Sequence, residues 1–204
     1  MRRHGLLLIA VTSIAACGEN AISPQTGGEG NNSTGFSIVV TDDPANDPSP
    51  VAASPSAPSA ITGEVVGAIR VSLRNDDDAL VDIGTADIEL PLQSGADSVR
   101  LSDLSRPPAD TYVGIQLRFE GVDVTVESGS EVGDSTITSD VVMNVGSGSV
   151  ASIEIATETF DVASDTQLRI TVDLNSELWI TGENLDDAAV PQADLASSVT
   201  VELD

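Results

Sequence analysis

The stretch VGIQLRFEGVDVTV, residues 113–126, decides the fold class, because apolar and polar side chains alternate along it. Its apolar residues occupy odd positions as far as Phe119 and even positions from Val122 onward. A period of two residues is that of a β-strand with one buried face. The phase reverses at Gly121, and a glycine at such a point indicates either a β-bulge or a tight turn.

The same alternation recurs from residue 36 to the end of the chain, in short segments separated by turn-forming residues. Nine to eleven strands of this kind predict an all-β domain, an antiparallel β-sandwich of immunoglobulin-like or transthyretin-like type. Only residues 184–196 show a weak helical pattern, which Pro191 interrupts. The alternating segments lie at 36–40, 65–73, 88–92, 99–101, 113–126, 153–155, 160–162, 168–174, 178–180 and 199–203.

The N-terminal 16 residues have the features of an export signal. Two arginines precede an apolar run at residues 6–16, which is about half of the ~20 residues that a membrane-spanning helix requires. The run ends in Ile14-Ala15-Ala16-Cys17, which resembles the lipobox of bacterial lipoproteins, whose cysteine is lipidated and becomes the new N-terminus. Cys17 is the only cysteine, so the chain offers it no disulfide partner. The alternatives are a free thiol or an ordinary secretory signal, and the small residues before Cys17 favour lipidation.

Two further segments lack apolar alternation. Residues 18–34 are rich in Gly, Ser, Asn and Thr and predict a flexible tether. Residues 43–59 contain five of the ten prolines, which lack the N–H that a sheet ladder needs. If this segment continued the tether, the domain would begin near Ile61. The alternation at 36–40 instead favours a first strand that is followed by an insertion. The predicted division is a signal peptide at 1–16, a lipidated N-terminus and tether at 17–34, and a β-sandwich domain at 35–204 with a Pro-rich insertion at 43–59.

The composition after the signal restricts the chemistry of the protein. Residues 17–204 contain six arginines, no lysine, no histidine and 33 acidic residues, a formal charge of −27. A Ser-His-Asp triad, a histidine zinc site and a Ser-Lys dyad are therefore excluded. A pair of carboxylates would still serve a hydrolase, but the chain has only one Trp, one Tyr and three Phe to line a sugar site. We expect that the protein is not an enzyme.

The charge also bears on partners. Nucleic acids need clustered Lys and Arg, so we expect no nucleic-acid binding. An acidic surface attracts divalent cations or basic partners. We expect the lipid to attach the protein to a membrane. A further partner would be an envelope protein or a polysaccharide whose identity is unknown.

Three short motifs carry a resemblance that covers residues 36 to about 203. Residues 37–44, SIVVTDDP, resemble the opening Leu-Thr-Asp-Ala-Pro strand of an uncharacterised domain family of prokaryotic lipoproteins. Residues 104–112 are similar to its Leu-Pro-Ala-Gly-x-Tyr turn, and residues 159–175 resemble its closing hairpin and Asp-Leu-Asn turn. Asp43 and Asp110 depart from that pattern. The resemblance implies a β-sandwich on a lipid anchor with no established activity.

Acidic residues beside the first and last core strands are the candidate metal ligands. They would meet if these two strands are neighbours, and Ca²⁺ prefers six to eight oxygen ligands in flexible acidic loops. The spacing does not fit an EF-hand. The alternative is that Asp42 and Asp173 cap turns. The calcium-site candidates are Asp42, Asp43, Asp173, Asn175 and Glu177, with Asp47 close by.

Two aromatic residues have predicted structural roles. Tyr112 follows a proline-containing turn at the start of a long strand, which predicts a tyrosine corner. Trp179 lies out of phase with Leu178 and Ile180, so we expect it to pack in the core or at a sheet edge rather than in a binding site.

We therefore expect a non-enzymatic, membrane-anchored envelope lipoprotein that serves as a structural or binding module. A calcium-dependent adhesion or assembly module is the alternative, and a carboxylate-pair hydrolase is a third. Gly18 is not the aspartate associated with retention in the inner membrane, so the resemblance implies the outer membrane or the cell surface.

Overall fold

The computed structural model describes residues 35–42, 61–92, 98–165 and 167–204. Of these residues, 59% lie in strands and 12% in helices, so the domain is mostly β. Cys17 and the whole Pro-rich insertion, including Asp43, lie outside the described residues.

Twelve strands and three short helices follow one another along the described chain. The strands are β1 (Phe36–Thr41), β2 (Gly63–Asn75), β3 (Leu80–Leu92), β4 (Ser98–Arg100), β5 (Asp110–Val126), β6 (Glu131–Val132), β7 (Ser135–Thr136), β8 (Val141–Val145), β9 (Val150–Val162), β10 (Leu168–Asp173), β11 (Ala189–Val190) and β12 (Thr200–Leu203). The helices are α1 (Ser176–Trp179), α2 (Gly182–Asp187) and α3 (Gln192–Ser198).

Two sheets pack together around an aliphatic core, which confirms the predicted two-layer arrangement. The small sheet has the order β12-β10-β1-β4. The large sheet has the order β11-β8-β5-β2-β3, with β9 also paired to β5. Strands β6 and β7 form a separate two-stranded ribbon.

The prediction of purely antiparallel sheets is wrong. Strand β1 runs parallel to β10, and β11 runs parallel to β8, so both sheets are mixed. Adjacent hairpin strands must be antiparallel, but parallel neighbours need a long connection. Most of the domain separates β1 from β10 along the chain, so no hairpin constrains their direction.

Strand β5 contains a β-bulge at Gly121, so the bulge interpretation is confirmed and the turn is not. Val66 of β2 pairs with Asp123, and Ala68 pairs with Glu120. Two residues of β5 therefore stand opposite one residue of β2. Gly121 has φ +58°, a left-handed conformation that glycine adopts at low cost.

The bulge needs a second glycine on the facing strand. A Cβ atom on Gly67 would lie 2.6 Å from the Cα atom of Val122 and 2.8 Å from the carbonyl oxygen of Gly121. These distances are shorter than van der Waals contact, so only glycine fits at position 67. The two backbones approach closely at this point.

A second irregularity lies near the start of β5 and corrects one core assignment. Tyr112 pairs with Asn75 and Gly114 pairs with Arg74, so Val113 is the additional residue. Val113 was expected on the buried face, but it is half-exposed, and Tyr112 is fully buried instead. The extra residue moves Tyr112 onto the face that Ile115 shares.

The first strand is confirmed as part of the domain. Strand β1 lies between β10 and β4, and its residues pair in register with β10 from Phe36 opposite Leu168 to Thr41 opposite Asp173. Ile38 and Val40 belong to the buried core.

The segment between β10 and β12 contains three short helices and strand β11, and one stretch that the sequence predicts as a strand is helical instead. Residues 178–180 were predicted as a strand, but Leu178 and Trp179 belong to α1, and the residues predicted as weakly helical form α2 and α3 on either side of β11. Pro191 is the N-cap of α3. Helix α2 contacts β8 and α3 contacts β9, so this segment covers one edge of the large sheet. None of the helices in the described residues has the length and apolarity to cross a membrane.

We expect Gly67→Ala to destabilise the domain by about 1–3 kcal/mol, the usual range for overpacking. Gly121→Ala should cost about 1–2 kcal/mol, because its left-handed conformation disfavours a Cβ atom. Gly182→Ala is the control, since nothing lies within 4 Å of its Cβ position and it begins a helix. Urea denaturation of the three variants would measure these differences. Equal midpoints for Gly67→Ala and Gly182→Ala would contradict the close approach.

Candidate functional site

The candidate calcium ligands lie where β1 and β10 end side by side. The two strands are neighbours, as the sequence hypothesis required, and Thr41 pairs with Asp173 in parallel register. Asp42 directly follows β1. It therefore lies beside the point where β10 ends and the chain continues toward Asn175. We refer to Asp42, Asp173, Asn175 and Ser176 as the acidic corner.

Asp42 binds the start of helix α1. Its Oδ1 atom accepts a hydrogen bond from the backbone N–H of Ser176 at 2.7 Å. Its Oδ2 atom accepts a second hydrogen bond from the Ser176 hydroxyl at 2.6 Å. A carboxylate satisfies free N–H groups at a helix start and is favoured there by the helix dipole. Asp42 thus fixes the end of β1 to the segment that follows β10.

Asp173 and Asn175 shape the turn itself. Asp173 is 4% exposed, and its Oδ1 atom accepts a hydrogen bond from the Asn175 N–H at 3.3 Å. Asn175 has φ 49° and ψ 55°, a left-handed conformation that Asn tolerates better than most residues. Its side-chain amide donates to the carbonyl oxygen of Ser198 at 2.7 Å and to the Thr200 hydroxyl at 3.3 Å. The turn is therefore attached to the start of β12.

The hydrogen bonds of the acidic corner favour the turn-capping interpretation over a calcium site. Both carboxylate oxygens of Asp42 already accept hydrogen bonds from Ser176. Glu177 is half-buried in α1, and Asp43 lies outside the described residues. Within the described ranges, no group of three or more His, Cys, Asp or Glu side chains is arranged to hold a metal ion. A calcium site at this corner stays a prediction.

Tyr112 has the geometry of the predicted tyrosine corner. Its hydroxyl donates a hydrogen bond to the carbonyl oxygen of Pro108 at 3.0 Å, four residues upstream. Its ring stacks on Phe160, with ring centroids 5.6 Å apart. Burial, and to a smaller extent the Asp110 carboxylate, raises the pKa of the Tyr112 phenol above its ordinary value. The side chain is a structural hydrogen-bond donor.

Trp179 is also structural. It is 1% exposed, and its indole N–H donates to the carbonyl oxygen of Leu174 at 2.8 Å. The side-chain amide of Asn184 donates to the Trp179 carbonyl oxygen at 2.7 Å. The expectation of core packing is confirmed.

A second feature, which the sequence analysis missed, lies at the opposite end of the small sheet. We call it the basic depression. It is an open hollow of about 360 Å³ beside the first described residue of the domain. Its lining residues are Gly35, Phe36, Ser37, Arg100, Gln167, Leu168, Arg169 and Asp204.

The sequence predicts that the two arginines of this depression are exposed, but it does not predict that they lie near each other. Arg100 and Arg169 each alternate with apolar neighbours that are buried or half-buried, which predicts that both point away from the core. That they lie on the two strands flanking β1 is a property of the sheet order. The alternation pattern does not encode it.

Comparisons with known proteins add no functional information. No family model, no curated protein and no solved structure matches the chain. The resemblance to prokaryotic lipoprotein domains therefore rests on its three sequence motifs.

We expect Asp42→Ala to destabilise the domain by about 1–3 kcal/mol, because two hydrogen bonds to a charged group are lost. Asp77→Ala, at the exposed tip of the β2–β3 hairpin, removes the same charge and should leave stability nearly unchanged. Thermal melts of the Cys17→Ser protein without residues 1–16 would compare the variants, each in Ca²⁺ and in chelator. A Ca²⁺-dependent rise in melting temperature that Asp42→Ala abolishes would show that the corner is a metal site.

We expect Tyr112→Phe to cost about 1 kcal/mol at neutral pH, the typical contribution of one hydrogen bond. The raised pKa means that the folded state favours the neutral phenol. The contribution of the neutral Tyr112 phenol to folding stability is therefore fully present below the pKa of an unfolded Tyr, about 10. It decreases as the pH rises above that value. Urea melts at pH 7 and pH 11 would show a smaller alkaline loss for Tyr112→Phe than for the parent protein. An identical alkaline loss would contradict this assignment.

Proposed function

We propose that the protein is a lipid-anchored module of the bacterial cell envelope that works by binding or scaffolding rather than by catalysis. The observation that carries the proposal is the Ile14-Ala15-Ala16-Cys17 stretch, which lies shortly before the described β domain begins at Gly35. A thiol at this position would carry the lipid, and two or more acyl chains would hold the domain stably on a membrane.

The environment of the described carboxylates supports a non-enzymatic role. A carboxylate-pair hydrolase needs one carboxyl with a raised pKa to donate a proton. The guanidinium of Arg70 instead lowers the pKa of Asp82. Asp42 is engaged with Ser176, and Glu154 is paired with Arg74. These acidic groups serve the fold.

We further propose that the two packed sheets form an immunoglobulin-like sandwich rather than a transthyretin-like one. Tyr112 supports this choice, because the tyrosine corner is a recurring feature of immunoglobulin-like domains. Its hydroxyl bonds to the backbone a few residues upstream, at Pro108, as in that motif.

The proposed location rests on the lipoprotein resemblance at Cys17 and Gly18, and the proposed partners rest on the charge. The formal charge of −27 after the signal opposes nucleic-acid binding. We place the domain at the outer membrane or the cell surface, with an envelope protein or polysaccharide as its partner. No metal or organic cofactor is part of this proposal.

We expect the protein extracted from membranes to begin at Cys17 and to carry acyl chains, which intact-mass spectrometry would detect. Cys17→Ser should abolish the acyl mass, and Ser13→Ala, a change of similar size within the signal, should keep it. A soluble native form whose N-terminus lies elsewhere would overturn the proposal.

A further inference from the structure

We propose that the basic depression docks onto phospholipid headgroups of the membrane that holds the anchor. The inference rests on the proposed lipidation of Cys17 and adds an orientation: the end of the small sheet that contains Phe36 faces the bilayer. The recognised chemistry is a headgroup with a phosphate and an ammonium group.

The sheet brings two arginines to positions two residues apart along β1, on its two sides. Arg169 on β10 pairs with Ser37, and Arg100 on β4 pairs with Val39. The Arg100 side chain extends back toward the start of the strand, where its Nη2 atom lies 3.5 Å from the carbonyl oxygen of Phe36. Both arginines line the depression.

These two arginines differ from others in the domain. Arg70 pairs with Asp82 on the neighbouring strand, and Arg118 pairs with Glu120 on its own strand. Arg74 pairs with Glu154 on β9. In the described part of the chain, neither Arg100 nor Arg169 forms an ion pair. A chain with 33 acidic residues has many carboxylates to offer. Two exposed cations without such a partner, in one hollow, are suited to an external anion.

Phosphate is the anion that this arrangement fits. Guanidinium groups bind phosphate oxygens through paired N–H donors. Asp204 lines the same depression and exchanges two backbone hydrogen bonds with Arg169, both at 2.9 Å. Its carboxylate complements an ammonium group. The hollow therefore matches the opposite charges of a phosphatidylethanolamine headgroup.

The position of the depression relative to the anchor supports a membrane as the source of the phosphate. Gly35 lines the hollow and lies 18 residues after Cys17. A chain of that length spans at most about 65 Å. The chain from the proposed anchor joins the domain beside this hollow. Phe36 at the rim is half-buried and packs against the core.

The test uses the full lipoprotein reconstituted into vesicles of phosphatidylethanolamine and phosphatidylglycerol with a headgroup-attached quencher. An acylated Cys17 does not react with a thiol dye, so one introduced cysteine gives one label. Ser102→Cys lies two residues beyond Arg100, on the side of the depression. Ser98→Cys lies at the other end of the same strand, opposite Thr41 and about 13 Å away. The Ser102 label should be quenched more strongly than the Ser98 label.

Arg100→Gln combined with Arg169→Gln should remove that difference. Two arginines at a lipid surface correspond to about a 30-fold change in the docked-to-undocked ratio, at about 1 kcal/mol each. Arg70→Gln combined with Arg118→Gln is the matched control, because it changes the net charge equally and should preserve the difference. Circular dichroism would verify that both double variants are folded.

The outcomes separate the two proposals. Protein that does not float with the vesicles contradicts the lipid anchor. Protein that floats but shows equal quenching at both labels overturns the docking proposal, as does a Ser102 signal that survives the loss of Arg100 and Arg169. Loss of the signal in that variant alone, with retention in the control, supports it.

Discussion

The close approach of β2 to the bulge in β5 is the constraint on which the large sheet depends. Strand β5 pairs with β9 as far as Glu120 and with β8 from Asp123 onward, so two successive strands share one of its edges. The bulge at Gly121 lies at the junction, where its N–H donates to the carbonyl oxygen of Ser149 in the loop between β8 and β9. The extra residue keeps one face of β5 buried on both sides of this junction. Gly67 makes the arrangement sterically feasible on the other edge.

The small sheet depends on contacts between distant parts of the chain. Strand β1 is its centre, yet the sequence leaves β1 through the Pro-rich insertion and returns to the sheet only at β4 and β10. The hydrogen bonds between Asp42 and Ser176 connect the end of β1 to the segment that follows β10. Because a buried parallel pair gains little from local turns, such side-chain contacts and the packing of Ile38 and Val40 hold β1 in place.

Local patterns in the sequence predict much of this architecture, and the failures have identifiable physical causes. The bulge and the tyrosine corner depend on neighbouring residues, so Gly121 and Tyr112 revealed them. Val113 was assigned to the wrong face because the second irregularity of β5 has no glycine to mark it. The α1 segment was assigned to a strand because an apolar pair such as Leu178 and Ile180 is too short to distinguish the two periods. Parallel pairing and the basic depression arise from sheet order, which alternation does not specify. The sequence does not show whether β1 and β10 are neighbours, and the contacts of the acidic corner depend on that adjacency.

The two sheets differ in whether their arginines form ion pairs with carboxylates. On the large sheet, Arg70 and Arg118 lie directly opposite each other, an arrangement that is unfavourable for like charges. Asp82 and Glu120 offset that repulsion by pairing with them, so these cations are neutralised within the domain. Arg100 and Arg169 form no ion pair within the described residues, although Asp204 lies opposite Arg169. A domain with a large excess of negative charge is repelled by an anionic bilayer from most directions. The proposed docking turns Arg100 and Arg169 toward the bilayer, and the hollow that they line lies beside Gly35, where the chain from the proposed anchor joins the domain.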